Sequence, residues 1–155
     1  MSELLGSGKN FTVAKVFIDT NILIYTIDKK DMEKHDESRR LVKRVSSDHV
    51  PVVSTQVLQE FYNGLTSKLK IDKIVAKNIL HSYRNIEIVS PDLSLIEQAV
   101  DISVLFQLSF WDSLIVAAAE QANCSILITE DLNDGQKIRG IKVVNPFKNI
   151  GFVIN

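Results

Sequence analysis

Cysteine, glycine and proline are scarce in this sequence, which has one, six and three of them among 155 residues. The single cysteine, Cys124, excludes an internal disulfide and suits a reducing compartment, so we expect the protein in the cytoplasm. No histidine stands near it in the sequence, and Cys124 is therefore expected to be a small buried apolar residue. The chain has no proline- or serine-rich linker and no internal repeat, which favours one domain.

Long apolar runs and an excess of one charge are also absent. No stretch approaches the ~18 apolar residues of a membrane helix, and Met1 to Leu5 lacks the basic start of a secretion signal, so we expect no membrane association. The net charge is −1, and no overall positive field marks a nucleic-acid-binding protein. A polyanion would need metal ions or local basic patches. The candidate patches are Lys34, Arg39, Arg40, Lys43 and Arg44, and then Lys68, Lys70 and Lys73, although most of these residues are better explained as solvated helix faces.

The N-terminal segment is expected to be a flexible leader. It contains Gly6-Ser7-Gly8-Lys9-Asn10, which partly resembles a phosphate-binding loop. Such a loop needs glycine where Glu3 stands and serine or threonine where Asn10 stands, so we predict no nucleotide site there. The predicted organisation is a leader (1–14), one domain (15–147) and a C-terminal tail (148–155).

From Lys15 onward, short apolar runs alternate with longer amphipathic segments. The runs predict strands at 16–18, 51–53, 86–89, 125–128 and 142–144. The segments between them begin with helix-capping residues such as Asp31, Ser54 and Ser109. Strands separated by helices indicate a parallel sheet. The predicted fold class is α/β, with a central parallel β-sheet flanked by α-helices in three layers.

Four acidic residues occupy informative positions in this pattern. Asp19 ends the apolar run Val16 to Ile18, and Asp131 follows a second such run. A carboxylate just past a buried strand lies where open parallel sheets place their ligand sites. Glu60 and Asp112 lie on predicted helices between these two runs. If the four carboxylates converge, they predict a divalent-metal site.

The first two acids also have simpler explanations. Asp19 could merely cap the helix that follows it. An aspartyl-nucleophile phosphatase would need a second aspartate where Asn21 stands, which counts against that chemistry. Glu60 projects away from the apolar face of its helix, so a solvated surface side chain is the favoured interpretation of Glu60 alone. Gly64, one turn later, would leave room for a substrate or a helix.

The other two acids have structural alternatives as well. Asp112 stands three positions after Ser109, as in a capping box, and Phe110 and Trp111 are expected to bury this turn. Asp131 lies in a polar turn. Glu130 and Asp134 compete with it as the functional acid, and Thr129 could bond to a ligating carboxylate.

Electrostatics limits how four carboxylates can share a site. Two of them about 4 Å apart repel by about 4 kcal/mol at an effective dielectric constant of 20. Convergence therefore requires protons or cations. Oxygen ligands alone select Mg²⁺ or Mn²⁺ over Zn²⁺. His35, His49 and His81 lack metal-ligand spacing and are expected to be solvated or structural.

Four segments together resemble the PIN-domain nucleases, and most of all the VapC-type toxins of toxin–antitoxin pairs. They are Phe17 to Tyr25 (FIDTNILIY), Gln59 to Phe61 (QEF), Phe110 to Ile115 (FWDSLI) and Thr129 to Leu132 (TEDL). Each is weak alone, but the ordered set is specific and covers nearly the whole chain.

The resemblance implies an Mg²⁺- or Mn²⁺-dependent ribonuclease. It matches the family's acids to Asp19, Glu60, Asp112 and Asp131, which would be catalytic and hold the metal. Asn21 and Thr129 would be supporting polar residues. RNA is then the substrate, hydrolysed to leave a 5′-phosphate, and the partners are an antitoxin and a second copy of the chain in a homodimer. Candidate apolar contacts for those partners are Tyr25, Phe61, Tyr62 and Leu65, each equally well explained as core.

Three other functions compete with the toxin. A PIN nuclease could process RNA without an antitoxin, and a PIN fold could bind a partner without activity, although all four acids are present. A phosphoacceptor receiver domain needs paired acids after the first strand and a lysine just past a late strand. Here a single aspartate follows the first strand, and Lys142 lies within the last one, which disfavours a receiver.

Overall fold

A six-stranded sheet forms the centre of the computed structural model, which describes residues 12–155. The strands are β1 (Lys15–Ile18), β2 (Val50–Ser54), β3 (Glu87–Val89), β4 (Ile126–Ile128), β5 (Lys137–Ile138) and β6 (Ile141–Val144). Their order across the sheet is β3-β2-β1-β4-β6-β5, and every neighbouring pair is parallel except β5 and β6. The glycine-containing segment around Gly8 lies outside the described residues.

The five predicted apolar runs all form strands, because their side chains are buried between layers. Phe17 on β1 and Leu127 on β4 are fully buried, as parallel strands covered on both faces require. Helices flank the sheet, so the predicted three-layer α/β arrangement is confirmed.

Among residues 12–155, six α-helices connect the strands. They are α1 (Thr20–Tyr25), α2 (Met32–Asp48), α3 (Thr55–Asn63), α4 (Lys73–His81), α5 (Leu93–Phe106) and α6 (Phe110–Gln121). The predicted caps Asp31, Ser54 and Ser109 each accept a hydrogen bond from the backbone N–H three residues later, at 3.1 to 3.3 Å. These bonds satisfy helix donors that would otherwise lack a partner and so define where α2, α3 and α6 begin.

One strand is missing from the sequence prediction. Between β4 and β6 the chain forms β5, a two-residue edge strand antiparallel to β6, with Ile138 paired to Ile141. Arg139 and Gly140 connect them with φ angles of 51° and 79°, the two positive values that a tight hairpin turn needs. Two residues are too few to show an apolar pattern, so only the Arg-Gly turn signalled this hairpin.

Helix α3 changes its geometry after Asn63. It widens into a π-helical turn at Gly64–Lys68. A Cβ atom at Gly64 would lie 2.7 Å from Ile24 Cδ1. Glycine is therefore used here to let α1 approach α3, and the space beside Gly64 is filled by a helix and not left open for substrate.

The last residues of the chain contact α2. The Gly151 N–H donates to Glu37 Oε1 at 3.2 Å, and Arg40 Nη2 donates to the Phe152 carbonyl at 2.9 Å. Ile154 is 2% exposed. Within residues 12–155 no single helix is long and apolar enough to cross a membrane, and only α5 and α6 taken together, bent by 117°, reach that length and composition.

Candidate active site

Asp19 lies at the carboxyl edge of the sheet, where β1 and β4 run side by side. Ile18 pairs with Ile128, and the Asp19 N–H donates to the Ile128 carbonyl at 3.0 Å. This register places Asp19 next to Thr129. Asp19 is 5% exposed and Thr129 is fully buried, so the first predicted acid is buried at the edge where parallel sheets form their sites.

Each oxygen of the Asp19 carboxylate accepts one hydrogen bond. Oδ1 accepts from the Thr20 N–H at 2.7 Å, and Oδ2 accepts from Thr129 Oγ1 at 2.7 Å. The helix-capping role that was an alternative for Asp19 is therefore present. It occupies one oxygen and is compatible with a second role for the other.

Asn21 and Thr129 hold Asp131 beside this carboxylate. Asn21 Nδ2 donates to Asp131 Oδ2 at 2.9 Å, and the Asp131 N–H donates to Thr129 Oγ1 at 3.1 Å. The Glu130 N–H donates to Asn21 Oδ1 at 3.3 Å. The predicted supporting residues thus connect α1 to the turn after β4.

The two acids that compete with Asp131 have other partners. Glu130 forms an ion pair with Lys34 of α2. Asp134 accepts hydrogen bonds from Asn149 Nδ2 at 2.8 Å and from the Asn145 N–H at 2.9 Å, and these bonds lower the pKa of its carboxyl. Asp131 is the acid of this turn that reaches Asn21.

Glu60 is exposed, as its position on α3 predicted, yet it is tied to the site. Its Oε2 accepts from Thr20 Oγ1 at 2.9 Å and its Oε1 accepts from Gln56 Nε2 at 3.0 Å. Thr20 follows Asp19 directly, so Glu60 lies against the start of α1. Neither Thr20 nor Gln56 was among the residues predicted for the site. The only available signals were their positions next to Asp19 and one helical turn before Glu60.

Asp112 lies half-buried in the first turn of α6, where its N–H donates to Ser109 Oγ at 3.1 Å. The expectation that Phe110 and Trp111 bury this turn is wrong for Trp111, which is 62% exposed. Phe110 is half-buried and meets Trp111 edge to face, with ring centroids 5.0 Å apart. Trp111 faces outward because it lies two positions before Ser113, which places it on the opposite side of α6 from that buried residue.

The four acids lie close enough together for their charges to act on Asp19 and Asp131. The pKa of Asp19 is raised to about 6, chiefly by burial. The hydrogen bonds from Thr129 and Thr20 lower it, and the negative charges of Asp131 and Glu60 contribute to the increase. Partial burial also raises the pKa of Asp131, as do the charges of Asp112, Glu130 and Glu60. A cation among these groups would be stabilised by all of them.

The donor chemistry of this cluster fits a hard divalent cation, because carboxylate oxygens are the ligands that Mg²⁺ and Mn²⁺ prefer. The side chains do not form a complete coordination shell in their present orientations, however. Among residues 12–155, no three His, Cys, Asp or Glu side chains stand close enough together to hold a metal ion as they are oriented. The structure therefore brings the four acids into one neighbourhood without converging them on one point.

The histidines and the cysteine lie apart from this cluster. His35 Nδ1 contacts the Tyr25 carbonyl at 2.8 Å, and His49 Nδ1 accepts from the Ala14 N–H at 3.0 Å. His81 is exposed beside Arg84. Cys124 is buried, and burial raises its thiol pKa to about 12. The structural roles expected for these residues agree with their positions.

The basic patch predicted on α2 is largely neutralised. Lys34, Arg40 and Arg44 form ion pairs with neighbouring acids. Arg39 and Lys43 have no ion pair among residues 12–155, and they line one open cavity of about 590 Å³. Within the α2 patch, Arg39 and Lys43 are therefore the members whose charges no ion pair among the described residues offsets, although Asp36 lines the same cavity.

The second patch gains two lysines that sequence analysis did not include. Lys68 and Lys70 line a cavity of about 420 Å³ together with Lys29 and Lys30. The chain folds so that the loop after α1 meets the turn after α3. Lys73, the third predicted member, does not line this cavity.

The four apolar residues proposed for partner contacts divide into two groups. Phe61 and Leu65 are fully buried and belong to the core. Tyr25 and Tyr62 are half-buried. Tyr62 lines a mostly apolar groove of about 420 Å³ between α3 and α4 that also includes Thr55, Leu58, Gln59 and Leu80.

A comparison with protein families identifies this arrangement. The model of the PIN domain matches residues 16–137, which is most of the chain and includes all four acids. The chain belongs to the PIN domain family. No curated protein sequence matches the chain at a significant level.

Solved structures with the same fold support the assignment of this PIN domain. VapC20 from Mycobacterium tuberculosis, a toxin that cleaves the sarcin–ricin loop, is 22% identical, with 89% of this chain and 96% of that chain covered and a TM-score of 0.61. A toxin–antitoxin complex from Klebsiella pneumoniae is 21% identical, with 84% and 97% covered and a TM-score of 0.63. VapBC2 from Rickettsia felis, bound to a promoter DNA fragment, is 18% identical, with 83% and 96% covered and a TM-score of 0.63. At these identities the likeness establishes a shared fold.

Proposed function

We propose that this PIN domain is a metal-dependent endoribonuclease and the toxin of a toxin–antitoxin pair. The observation that carries the proposal is the group of four carboxylates at the sheet edge of a PIN fold, in which the charges of Glu60 and Asp112 act on the buried Asp19 and on Asp131. Structural neighbours that are toxins or toxin–antitoxin complexes support the toxin role.

Asp19, Asp112 and Asp131 would hold Mg²⁺ or Mn²⁺, with Glu60 as a fourth ligand or as the group that orients the attacking water. A divalent ion there would lower the pKa of a bound water and stabilise charge on the phosphate and the leaving oxygen. Two hydrogen bonds would hold the Asp19 carboxylate in place for this ion.

The remaining residues of the site act by orientation. Thr129 fixes Asp19 and the backbone of Asp131 with one hydroxyl group. Asn21 fixes the Asp131 carboxylate, and Thr20 and Gln56 fix that of Glu60. The reaction we propose is hydrolysis of an RNA phosphodiester that leaves a 5′-phosphate.

RNA binding would use basic residues that have no ion pair among residues 12–155. Arg39 and Lys43 on α2, and the four lysines of the second cavity, would contact backbone phosphates without reading sequence. Such contacts weaken with salt because they release counterions from the RNA. A cytoplasmic location is part of the proposal, since the substrate and the antitoxin would be encountered there.

Two protein partners complete the proposal. The groove beside Tyr62 would bury an apolar segment of an antitoxin. A second copy of the chain would pack on α5, where Leu93, Val100 and Val104 are 71%, 47% and 73% exposed and recur along one side of the helix. An exposed apolar stripe of this kind marks an interaction surface in a monomeric domain.

The test is cleavage of a structured RNA pool by the wild-type protein and by Asp19→Asn, with Mg²⁺, Mn²⁺ or EDTA. We expect cleavage by the wild type with either metal and none in EDTA. The variant, checked for folding by circular dichroism, should lose at least about 100-fold of the rate, as expected when a group that positions the reacting centre is removed. A Lys77→Met variant, altered on the exposed face of α4, serves as a control and should cleave normally.

The outcomes separate the proposal from its competitors. Full metal-dependent activity in folded Asp19→Asn would contradict the site. Metal-independent cleavage by both proteins would point to a contaminant. Cleavage of many RNAs without inhibition by any co-encoded small protein would favour RNA processing over a toxin.

A further inference from the structure

Lys34 joins helix α2 to the turn that carries Asp131. It lies in the first turn of α2, and its ammonium group forms an ion pair with Glu130. Lys34 Nζ also lies 3.4 Å from the Tyr25 hydroxyl oxygen and 5.2 Å from the centre of the Tyr25 ring. A second ring, Phe147, lies 5.1 Å from the same nitrogen.

The surroundings hold Lys34 in this orientation. The rings of Tyr25 and Phe147 meet edge to face with their centroids 5.1 Å apart, so each ring holds the other in place beside Lys34. Ammonium groups are attracted to ring faces at such distances. The Lys34 and Glu130 side chains are 28% and 27% exposed. A partly exposed ion pair contributes little to stability, so orientation is the role that this arrangement suits.

What Lys34 orients is one of two successive carboxylates. Glu130 and Asp131 follow each other on a turn whose backbone is bonded to Asn21 and Thr129. Glu130 lies near enough to Asp131 to perturb its carboxyl. Without a partner, Glu130 would be a second flexible carboxylate beside the acidic cluster and would attract the same cation.

We propose that Lys34 is a positioning residue that holds the Glu130 carboxylate out of the acidic site, so that Asp131 and not Glu130 acts there. This inference rests on the proposed function of the site. It requires no contact between Lys34 and RNA. It predicts that the effect of losing Lys34 operates through Glu130.

The test uses Lys34→Met, Glu130→Gln and the double variant, with Lys34→Arg as the variant that keeps the charge. Mn²⁺ affinity is measured by calorimetry without RNA, and cleavage is measured with saturating Mg²⁺. Lys34→Met removes a cation and frees a carboxylate, so it should bind Mn²⁺ more tightly. Its cleavage should slow by about tenfold, because part of the metal is held by the wrong acid.

Glu130→Gln should reverse both changes in the double variant, which has the same net charge as the wild type. Alone, Glu130→Gln removes one negative charge beside the cluster, so it should bind Mn²⁺ less tightly and still cleave at the wild-type rate with saturating Mg²⁺. Lys34→Arg should behave as the wild type. Lys77→Met, which removes one positive charge from the exposed face of α4, should change neither measurement. A purely structural role for Lys34 would not make metal affinity and cleavage move in opposite directions.

Several results would overturn the inference. One is a double variant as slow as Lys34→Met with a raised KM, which would place Lys34 on the RNA. Another is unchanged Mn²⁺ affinity in Lys34→Met. If Lys34→Met does not fold, Lys34→Leu gives the same comparison, because it also removes both the charge and the donor to Glu130. A wild-type protein that cleaves no RNA would contradict the proposed function, and the Mn²⁺ affinities would then decide the role of Lys34 alone.

Discussion

Asp19 shows how one residue can be both a structural cap and the centre of a reactive cluster. Its carboxylate is buried, accepts two hydrogen bonds and faces the charges of Asp131 and Glu60. Hydrogen bonds favour the ionised form, whereas burial and like charges oppose it. Burial prevails, since the pKa is raised to about 6. A cation would reverse this balance, which is why the cluster suits metal binding.

The raised pKa of Asp19 predicts how stability depends on pH in EDTA. The folded protein holds this proton up to about pH 6, whereas the unfolded chain releases it near the ordinary value of 3.8. Asp19 therefore does not affect stability below pH 3.8, and it destabilises the fold progressively between pH 3.8 and 6 and fully above pH 6. The full effect corresponds to about 3 kcal/mol.

Asp19→Asn should consequently be more stable than the wild type at pH 7.5 in EDTA. We expect the free energy of unfolding to rise by about 2 kcal/mol. This is less than the full effect of the ionised carboxylate, about 3 kcal/mol, because the amide that replaces it loses part of the hydrogen bonding. At pH 4 the advantage should vanish. Urea unfolding at both pH values measures it, and added Mg²⁺ should stabilise the wild type alone. A variant less stable than the wild type at pH 7.5 would contradict this account of Asp19.

Single residues also show what the sequence could and could not predict. Asp19 and Asp131 were located because each follows a buried apolar run. The bonds that orient the site join Thr20 to Glu60 and Lys34 to Glu130, which are 40 and 96 positions apart. No local pattern encodes such pairs. The exposure of Trp111 was mispredicted because aromatic character alone does not set helical phase.

At the scale of elements, the strands and helix starts were predictable and the hairpin was not. Long amphipathic segments and the caps Ser54 and Ser109 carry strong local signals. Strand β5 has two residues, and the only signal for it is the Arg139-Gly140 turn. The turn lies at the N-terminal end of β6, and Asp131 lies beyond the C-terminal end of β4. Because β4 and β6 are parallel, the turn and Asp131 lie at opposite edges of the sheet.

Gly140→Ala should therefore destabilise the fold without altering the site. Gly140 has a φ of 79° with open space around its Cβ position, so the expected loss of about 1 kcal/mol is backbone strain. Gly140→Asn should lose less, because asparagine tolerates this conformation better. Thermal unfolding measures both variants. Equal stability of Gly140→Ala and wild type, or a changed cleavage rate per folded molecule, would contradict a purely structural role for Gly140 in this turn.

At the scale of the whole molecule, an uncovered surface remains on α5. Leu93, Val100 and Val104 project from the helix at the outside of the α5–α6 pair. An exposed apolar stripe suits the proposed two-fold dimer, in which the same surface is buried on both copies. The sequence could not predict this surface, because apolar residues on α5 are equally expected to face the core.

Val104→Glu should shift the protein from dimer to monomer at micromolar concentration, because it would bury two charges without partners. Ser94→Glu adds the same charge off the stripe and should remain dimeric. Light scattering coupled to size-exclusion chromatography distinguishes the two states. A wild-type protein that is monomeric, or a Val104→Glu variant that stays dimeric, would contradict the proposal that α5 is the dimer surface.

The most direct test of the acidic site is the anomalous diffraction of crystals grown with Mn²⁺. We predict a peak about 2.1 Å from oxygens of Asp19 and of at least one of Asp112 and Asp131, the distance typical of ions with Mg²⁺-like coordination. The same crystals of Asp19→Asn should lack it. Saturating Mn²⁺ that produces no peak at this cluster, or a peak at other residues only, would contradict the account.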